Sequence, residues 1–248
     1  QFRRAAKHLQ NFLVNSGKTR DDLAQFARPG ASIGLYRPGV KNVFDLSADT
    51  RAARAARPGP LRLISLGTVE PRKNYAAALA ILDRLRATTH PKAELHIIGR
   101  AGWGPGADLI SSHPGTKLLG YLSGEEVKKR MDEADLYLCT SHDEGLGLPL
   151  LEAQYAGLPV IAPDQPVFRE VLGASGTFIT PSDPAAAAAK IAELMSAPNW
   201  RANSAAAALA NVMRWNALAA DDLDNAKRVF APQPGSAGAG INAASRPS

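Results

Sequence analysis

TSHDEGLGLPLLEAQYAG, residues 140–157, decides the fold, because it reads as a strand end, a bare loop and a helix start in that order. The apolar run 136–140 ahead of it has the length of a buried strand, and Pro149 suits the first turn of a helix, where its missing N–H leaves no bond unmade. Gly145 and Gly147 leave the backbone before that helix without Cβ atoms, so peptide N–H groups there can approach a ligand closely. Glu144 falls in the loop and Glu152 in the first turn of the expected helix, which lets both carboxylates face one crevice and accept hydrogen bonds from ligand hydroxyls. The plainer alternatives are surface exposure for Glu144 and a carboxylate placed to offset the helix dipole for Glu152.

Outward from this stretch, short apolar runs alternate with helical patterns from residue 61 onward, the signature of stacked βαβ units and a mostly parallel sheet. Strands are expected at 62–66, 94–98, 117–119, 136–140, 159–162 and 177–179. Asn74 can cap a helix running to about residue 87, Ser123 with Glu126 makes a capping box, and Asp183 before Pro184 opens an alanine-rich helix. The expected fold class is α/β, a Rossmann-like doubly wound parallel sheet spanning residues 60–230 with a terminal helix from residue 200. Upstream, 12–15 and 19–26 read as one strand and one helix outside this sheet, and 51–60 as a linker. Residues 231–248 have no periodicity and are expected to be disordered.

The segment GTVEPRKN, residues 67–74, also follows a strand and precedes a helix. Gly67 permits a tight turn at the strand's carboxyl end, and Arg72 and Lys73 set two cations beside the helix N-terminus. Adjacent cations repel unless an anion lies near them, so the pair makes sense as a diphosphate clamp, with two solvated surface charges as the alternative.

Composition narrows the field of partners. A net charge of +6 suits an anionic partner, but the basic residues are scattered and not interleaved with aromatics, so nucleic acid is disfavoured. No apolar run approaches the roughly 20 residues that span a bilayer, and the first ten residues lack the apolar core of a signal peptide. A cytoplasmic location is expected, with peripheral association at the inner face of the membrane left open. Cys139 cannot form a disulfide within the chain and is expected to pack as a small hydrophobe. No C-x-x-C or H-x-E pattern supports a metal; His113 and His142 read as loop residues, and Asp132, Glu133 and Asp135 as solvated.

GTVEPRKN, GRAGWG, GYLSGEEV and EGLGLPLLEAQYAGLPVIAP, in that order over residues 60–230, resemble the C-terminal donor domain of glycosyltransferase family 4, retaining enzymes of the GT-B fold. The resemblance implies that Glu144 meets the donor sugar, Glu152 the nucleotide ribose, and Arg72 and Lys73 the diphosphate. It further implies that Gly145, Leu146 and Gly147 contact sugar and phosphate, and that Tyr121 and Leu122 hold the base. GRAGWG, residues 99–104, is similar to a subset that includes mannosyltransferases of bacterial polysaccharide assembly, while a turn packed around Trp103 explains the same letters. FLVNSGKTRDDL resembles the last unit of the family's N-terminal acceptor domain, where a Ser follows a strand. Residues 1–59 are therefore expected to be a remnant of that domain and the interdomain crossover, the acceptor domain being largely absent.

The implied activity is retaining, metal-independent transfer of a hexose from a nucleoside diphosphate sugar to a glycan or lipid-linked acceptor, with no cofactor. Arg72, Lys73 and Glu144 are the expected catalytic residues. The alternative is an isolated nucleotide-sugar-binding module, or an inactive fragment, that needs a separate acceptor domain. A dinucleotide-dependent oxidoreductase fits the sheet pattern but lacks G-x-G-x-x-G after the first strand.

Overall fold

The computed structural model describes residues 4, 6–43 and 59–230; the expected linker lies largely, and the expected disordered tail wholly, outside them. Near the amino end, β1 (Asn11–Val14), α1 (Gly17–Ala24) and β2 (Ser32–Leu35) form a parallel two-stranded unit. β2 departs from the sequence expectation, which read this region only as the start of a crossover. SIGL is short, holds a glycine and is nowhere fully buried, so it carries no apolar alternation to betray a strand.

Six further strands build the main sheet: β3 (Arg62–Leu66), β4 (Glu94–Ile98), β5 (Thr116–Leu118), β6 (Leu136–Leu138), β7 (Val160–Pro163) and β8 (Gly176–Ile179). They are parallel throughout and ordered β5-β4-β3-β6-β7-β8. Between them run α2 (Tyr75–Thr88), α3 (Gly106–Ser112), α4 (Gly124–Glu133), α5 (Leu148–Tyr155) and α6 (Pro166–Leu172), and after β8 come α7 (Pro184–Ser196) and α8 (Trp200–Phe230). Period-two alternation along the strands separates two cores. Leu63, Leu95 and Ile97 meet Leu82, Ile110 and Ile191 of α2, α3 and α7. Ile64 and Tyr137 meet Met131, Leu151, Phe168 and Trp215 of α4, α5, α6 and α8 on the other face. Full burial of side chains such as Leu63 or Phe168 is worth roughly 1.5–3 kcal/mol each, so these two layers are the main source of the fold's stability.

A two-stranded sheet is marginal by itself, and this one is held by the long terminal helix. From α8, Trp215 donates through Nε1 to the Pro38 carbonyl at 2.9 Å, and Asn216 Oδ1 accepts from the Val40 N–H at 2.8 Å. Asp222 takes two hydrogen bonds from the Arg37 guanidinium, at 3.0 and 2.8 Å, and Glu170 a third from Arg37 Nε at 3.2 Å. The helix thus joins the N-terminal unit to the main sheet. Among the described residues no helix is long and apolar enough to cross a membrane.

The capping box at Ser123 and Glu126 is present, and Asp183 accepts from the Ala186 N–H as an N-cap. Asn74 is different. It ends a 3-10 turn, Pro71–Lys73, and begins α2 at the same residue, which forces it to φ 51°, and its side chain caps nothing. Asparagine tolerates that left-handed conformation, so the residue type fits for another reason than the one its letter suggested. Asp135 is not solvated: its carboxylate accepts from the Arg62 N–H at 2.9 Å and from Arg201 at 2.7 Å.

Candidate functional site

The sheet order reverses between β3 and β6, because the chain runs outward through β4 and β5 before returning to the other side of β3. Open α/β sheets bind ligands outside the carboxyl ends of the strands at such a point. The loops leaving β3 and β6, residues 67–74 and 139–147, meet there. They are stitched at three backbone carbonyls of the first loop: the Thr140 side-chain Oγ1 donates to those of Lys73 and Asn74 at 3.1 and 3.0 Å, and the His142 N–H to that of Arg72 at 2.8 Å.

The stitching places the two cations on one carboxylate. Lys73 Nζ lies 2.6 Å from Glu144 Oε1 and Arg72 Nη1 lies 2.7 Å from Oε2. Ser141 Oγ donates to Oε1 at 3.0 Å, and Arg72 also pairs with Glu70 at 2.7 Å. The Glu144 and Lys73 side chains are only 12% and 14% exposed, whereas that of Arg72 is 43% exposed, so Glu144 is not a plain surface group and Lys73 is the more confined cation. Burial pushes the Glu144 carboxyl up, but hydrogen bonds and charge from Lys73, together with Arg72 and Ser141, outweigh it and hold the group below the usual carboxylate value. Burial pushes the Arg72 pKa down, but hydrogen bonds and charge from Glu144 and Glu70 outweigh it, and the pKa ends raised. The cluster is a set of charges fixed before any ligand arrives.

Gly67 belongs to this cluster by shape, since a Cβ there would come within 2.8 Å of Lys73 Cε. Gly147, at φ 88°, ends the loop as the N-cap of α5 and lines the same cleft as Lys73, Glu144 and Pro149. Gly145 has open space around its Cβ position. The Leu146 side chain is buried in the core, which leaves only its backbone for a ligand.

Glu152 lies in the second turn of α5, not the first, because the helix starts at Leu148. That weakens the dipole alternative, which fades beyond the first turn. Among the described residues nothing pairs with its carboxyl, and burial alone raises its pKa. An unpartnered, half-buried carboxylate is costly, and a ligand hydroxyl donating to it would offset that cost. Tyr121, just past β5, is 77% exposed with the Arg100 guanidinium 5.2 Å from its ring centre, while Leu122 packs against the core.

Trp103 is 68% exposed, so GRAGWG is not a turn packed around an indole. Gly99 and Gly102 answer to the backbone instead: a Cβ on Gly99 would lie 2.0 Å from the Gly67 carbonyl oxygen and one on Gly102 2.4 Å from that of Val69. The Cys139 thiol is buried, which pushes its pKa up and leaves it inert. Among the described residues no group of three or more His, Cys, Asp or Glu side chains is arranged to hold a metal ion.

Residues 47–210, about two thirds of the chain, match the family model described as "Glycosyl transferases group 1". The chain belongs to this family. It is 30% identical over 222 residues to a glycogen synthase of Mycobacterium tuberculosis, covering 84% of this chain and 52% of that protein. It is also 30% identical over 156 residues to the O-antigen chain mannosyltransferase B of Escherichia coli, covering 61% of this chain and 41% of that one. The chain spans about half the length of the curated relatives it matches. Among solved structures, Anabaena HepE in complex with UDP and glucose superposes with a TM-score of 0.67 at 19% identity, over 89% of this chain and 64% of that one. That likeness establishes the fold, a Rossmann-like half of the GT-B architecture.

Ser141 and Glu70 carry no motif in the sequence, yet Ser141 bonds to Glu144 and Glu70 to Arg72. Ser141 had one available signal, its position three residues before Glu144 on the same tight loop.

Proposed function

We propose that the loops 67–74 and 139–147 bind a nucleoside diphosphate sugar, and that the protein transfers its hexose, with retention and without a metal, to a glycan or lipid-linked acceptor. The observation that carries the proposal is the convergence of Arg72 and Lys73 on Glu144 at the carboxyl ends of neighbouring strands β3 and β6. The names of the relatives, a glycogen synthase and a mannosyltransferase, and the UDP and glucose named for HepE support the substrate class.

In this reading the reaction breaks the bond between the anomeric carbon and the diphosphate oxygen while the acceptor hydroxyl attacks from the same face, its proton passing to the departing phosphate. Negative charge grows on the diphosphate as it leaves. Arg72 and Lys73, already held by Glu144 and Glu70, stabilise that charge with little reorganisation, which is the main source of rate in electrostatic catalysis. They supply the charge that a metal would otherwise supply. Glu144 meets the donor sugar while orienting the two cations. Glu152 accepts from the ribose hydroxyls, the backbone of Gly145, Leu146 and Gly147 contacts sugar and phosphate, and Tyr121 and Leu122 hold the base. A cytoplasmic site, peripheral to the membrane when the acceptor is lipid-linked, follows from the substrates. Close backbone approach accounts for Gly99 and Gly102 of GRAGWG, and a positive φ for Gly104, so a mannosyl donor rests on the named relatives alone.

A thermal-shift screen of the chain against UDP-, GDP- and ADP-hexoses tests the proposal. Stabilisation by at least one, lost in an Arg72→Ala, Lys73→Ala double variant that remains folded, is expected. A folded parent chain that none of the three stabilises contradicts it.

A further inference from the structure

We propose that Ser16 is a positioning residue for the loop 143–147, holding the peptide after Gly145 so that its amide serves the donor diphosphate; this rests on the donor reading above. Ser16 is fully buried and caps α1, its Oγ accepting from the Thr19 N–H at 3.1 Å. A cap uses only the oxygen. The hydroxyl proton is donated at 2.8 Å to the Gly145 carbonyl, 129 residues away, and Thr19 Oγ1 stands 3.5 Å from the same carbonyl.

Two more contacts hold the same end of α1. Both Glu170 oxygens accept from the Gly17 N–H, at 3.0 and 2.9 Å, and Lys18 reaches Asp143 at 3.4 Å. The N-terminal unit therefore grips the main domain both at the loop and at the neighbouring helix α6, with Ser16 as the contact on the loop's own backbone.

The loop needs such a contact. Gly145 is exposed and has no side chain to lock its peptide, while the Leu146 side chain is anchored in the core, so rotation of the peptide between them is the freedom left over. In a planar trans peptide the C=O and the following N–H point to opposite sides. A hydrogen bond that fixes the Gly145 carbonyl toward Ser16 thus turns the Leu146 N–H away from the N-terminal unit. Among the described residues nothing accepts that N–H. The interdomain contact and the orientation of a donor-loop amide are one and the same constraint.

The test compares Ser16→Ala with Asp183→Ala, which removes an equivalent helix cap from α7 without touching the loop. Ser16→Cys keeps the shape of the side chain with a weaker donor and guards against a folding defect. Hydrogen exchange over residues 143–147 should speed up in Ser16→Ala, less in Ser16→Cys, and not in Asp183→Ala. Affinity for UDP or GDP should fall roughly three- to tenfold in Ser16→Ala, the loss of one hydrogen bond, with uridine or guanosine binding unchanged. Exchange that is unaltered in Ser16→Ala, or raised equally in Asp183→Ala, overturns the proposal whether or not the parent chain binds a nucleotide, as does an equal loss of nucleoside and diphosphate affinity. A parent chain that binds neither UDP nor GDP while exchange still rises in Ser16→Ala overturns the donor reading and leaves Ser16 holding the loop.

Discussion

Lys73→Ala separates the proposed phosphate-binding role of this residue from a purely structural one. Its Nζ is 2.6 Å from Glu144 Oε1 and both side chains are mostly shielded, so the pair is neither a freely solvated surface bridge nor a fully buried one. Removing one partner of a buried pair costs about 3–5 kcal/mol because the other charge is stranded. Here Glu144 keeps Arg72 at 2.7 Å and Ser141 at 3.0 Å, which brings the expected loss of stability to about 1–2 kcal/mol. Ligand binding suffers differently. A charge-assisted hydrogen bond to a phosphate is worth about 1.5–3 kcal/mol, or roughly 10- to 150-fold in affinity. The upper half of that range is expected, because the variant also leaves Glu144 less neutralised beside the diphosphate. Isothermal titration of parent and variant with UDP and GDP, and with uridine and guanosine, reads the difference. Loss of diphosphate affinity with nucleoside affinity preserved is the expected result, and equal losses for both ligands would refute the phosphate assignment.

Glu152→Gln should weaken the ribonucleotide while sparing its 2′,3′-dideoxy analogue, and should leave folding stability at neutral pH unchanged or raised by up to about 1 kcal/mol. The sign follows from burial: a carboxyl whose folded pKa is raised binds protons more tightly when folded, so it costs stability as pH rises from its unfolded value through its folded one, and glutamine escapes that cost. Glu144→Gln should do the opposite. Its folded pKa is depressed, so its contribution is present above the unfolded value and fades as pH falls through the folded one; denaturant titrations should show the variant less stable by about 1–3 kcal/mol at pH 7 and converging on the parent in acid. Gly67→Ala should cost more diphosphate affinity than nucleoside affinity, because its Cβ would displace the Lys73 stem; equal affinities in parent and variant would show that the stem has room to move.

Much of the main sheet was legible because β3, β4 and their neighbours are apolar runs set between caps and glycines, signals local in the chain. The candidate residues Arg72, Lys73 and Glu144 were visible for the same reason, as letters in two short loops. What those letters do to each other was not. Glu144 and Lys73 are 71 residues apart, and only the pairing of β3 with β6 shows that the cations already share a carboxylate. Ser16 stands in the sequence only as a serine after a strand, yet in the structure it caps α1 and its proton goes to a loop 129 residues distant. Local patterns also misled where two constraints met at one residue, as at Asn74, whose backbone joins two helices and so cannot cap with its side chain. Trp103 showed the converse, since Gly99 and Gly102 before it are set by backbone neighbours and the indole is free to face solvent.

A crystal structure of the chain with UDP or GDP bound would show directly whether Arg72 and Lys73 hold the diphosphate. The diphosphate oxygens are expected within about 2.7–3.1 Å of Lys73 Nζ and the Arg72 guanidinium, with the ribose hydroxyls on the Glu152 carboxylate. A nucleotide bound elsewhere, with Lys73 and Arg72 still closed on Glu144 and no phosphate near them, would contradict it.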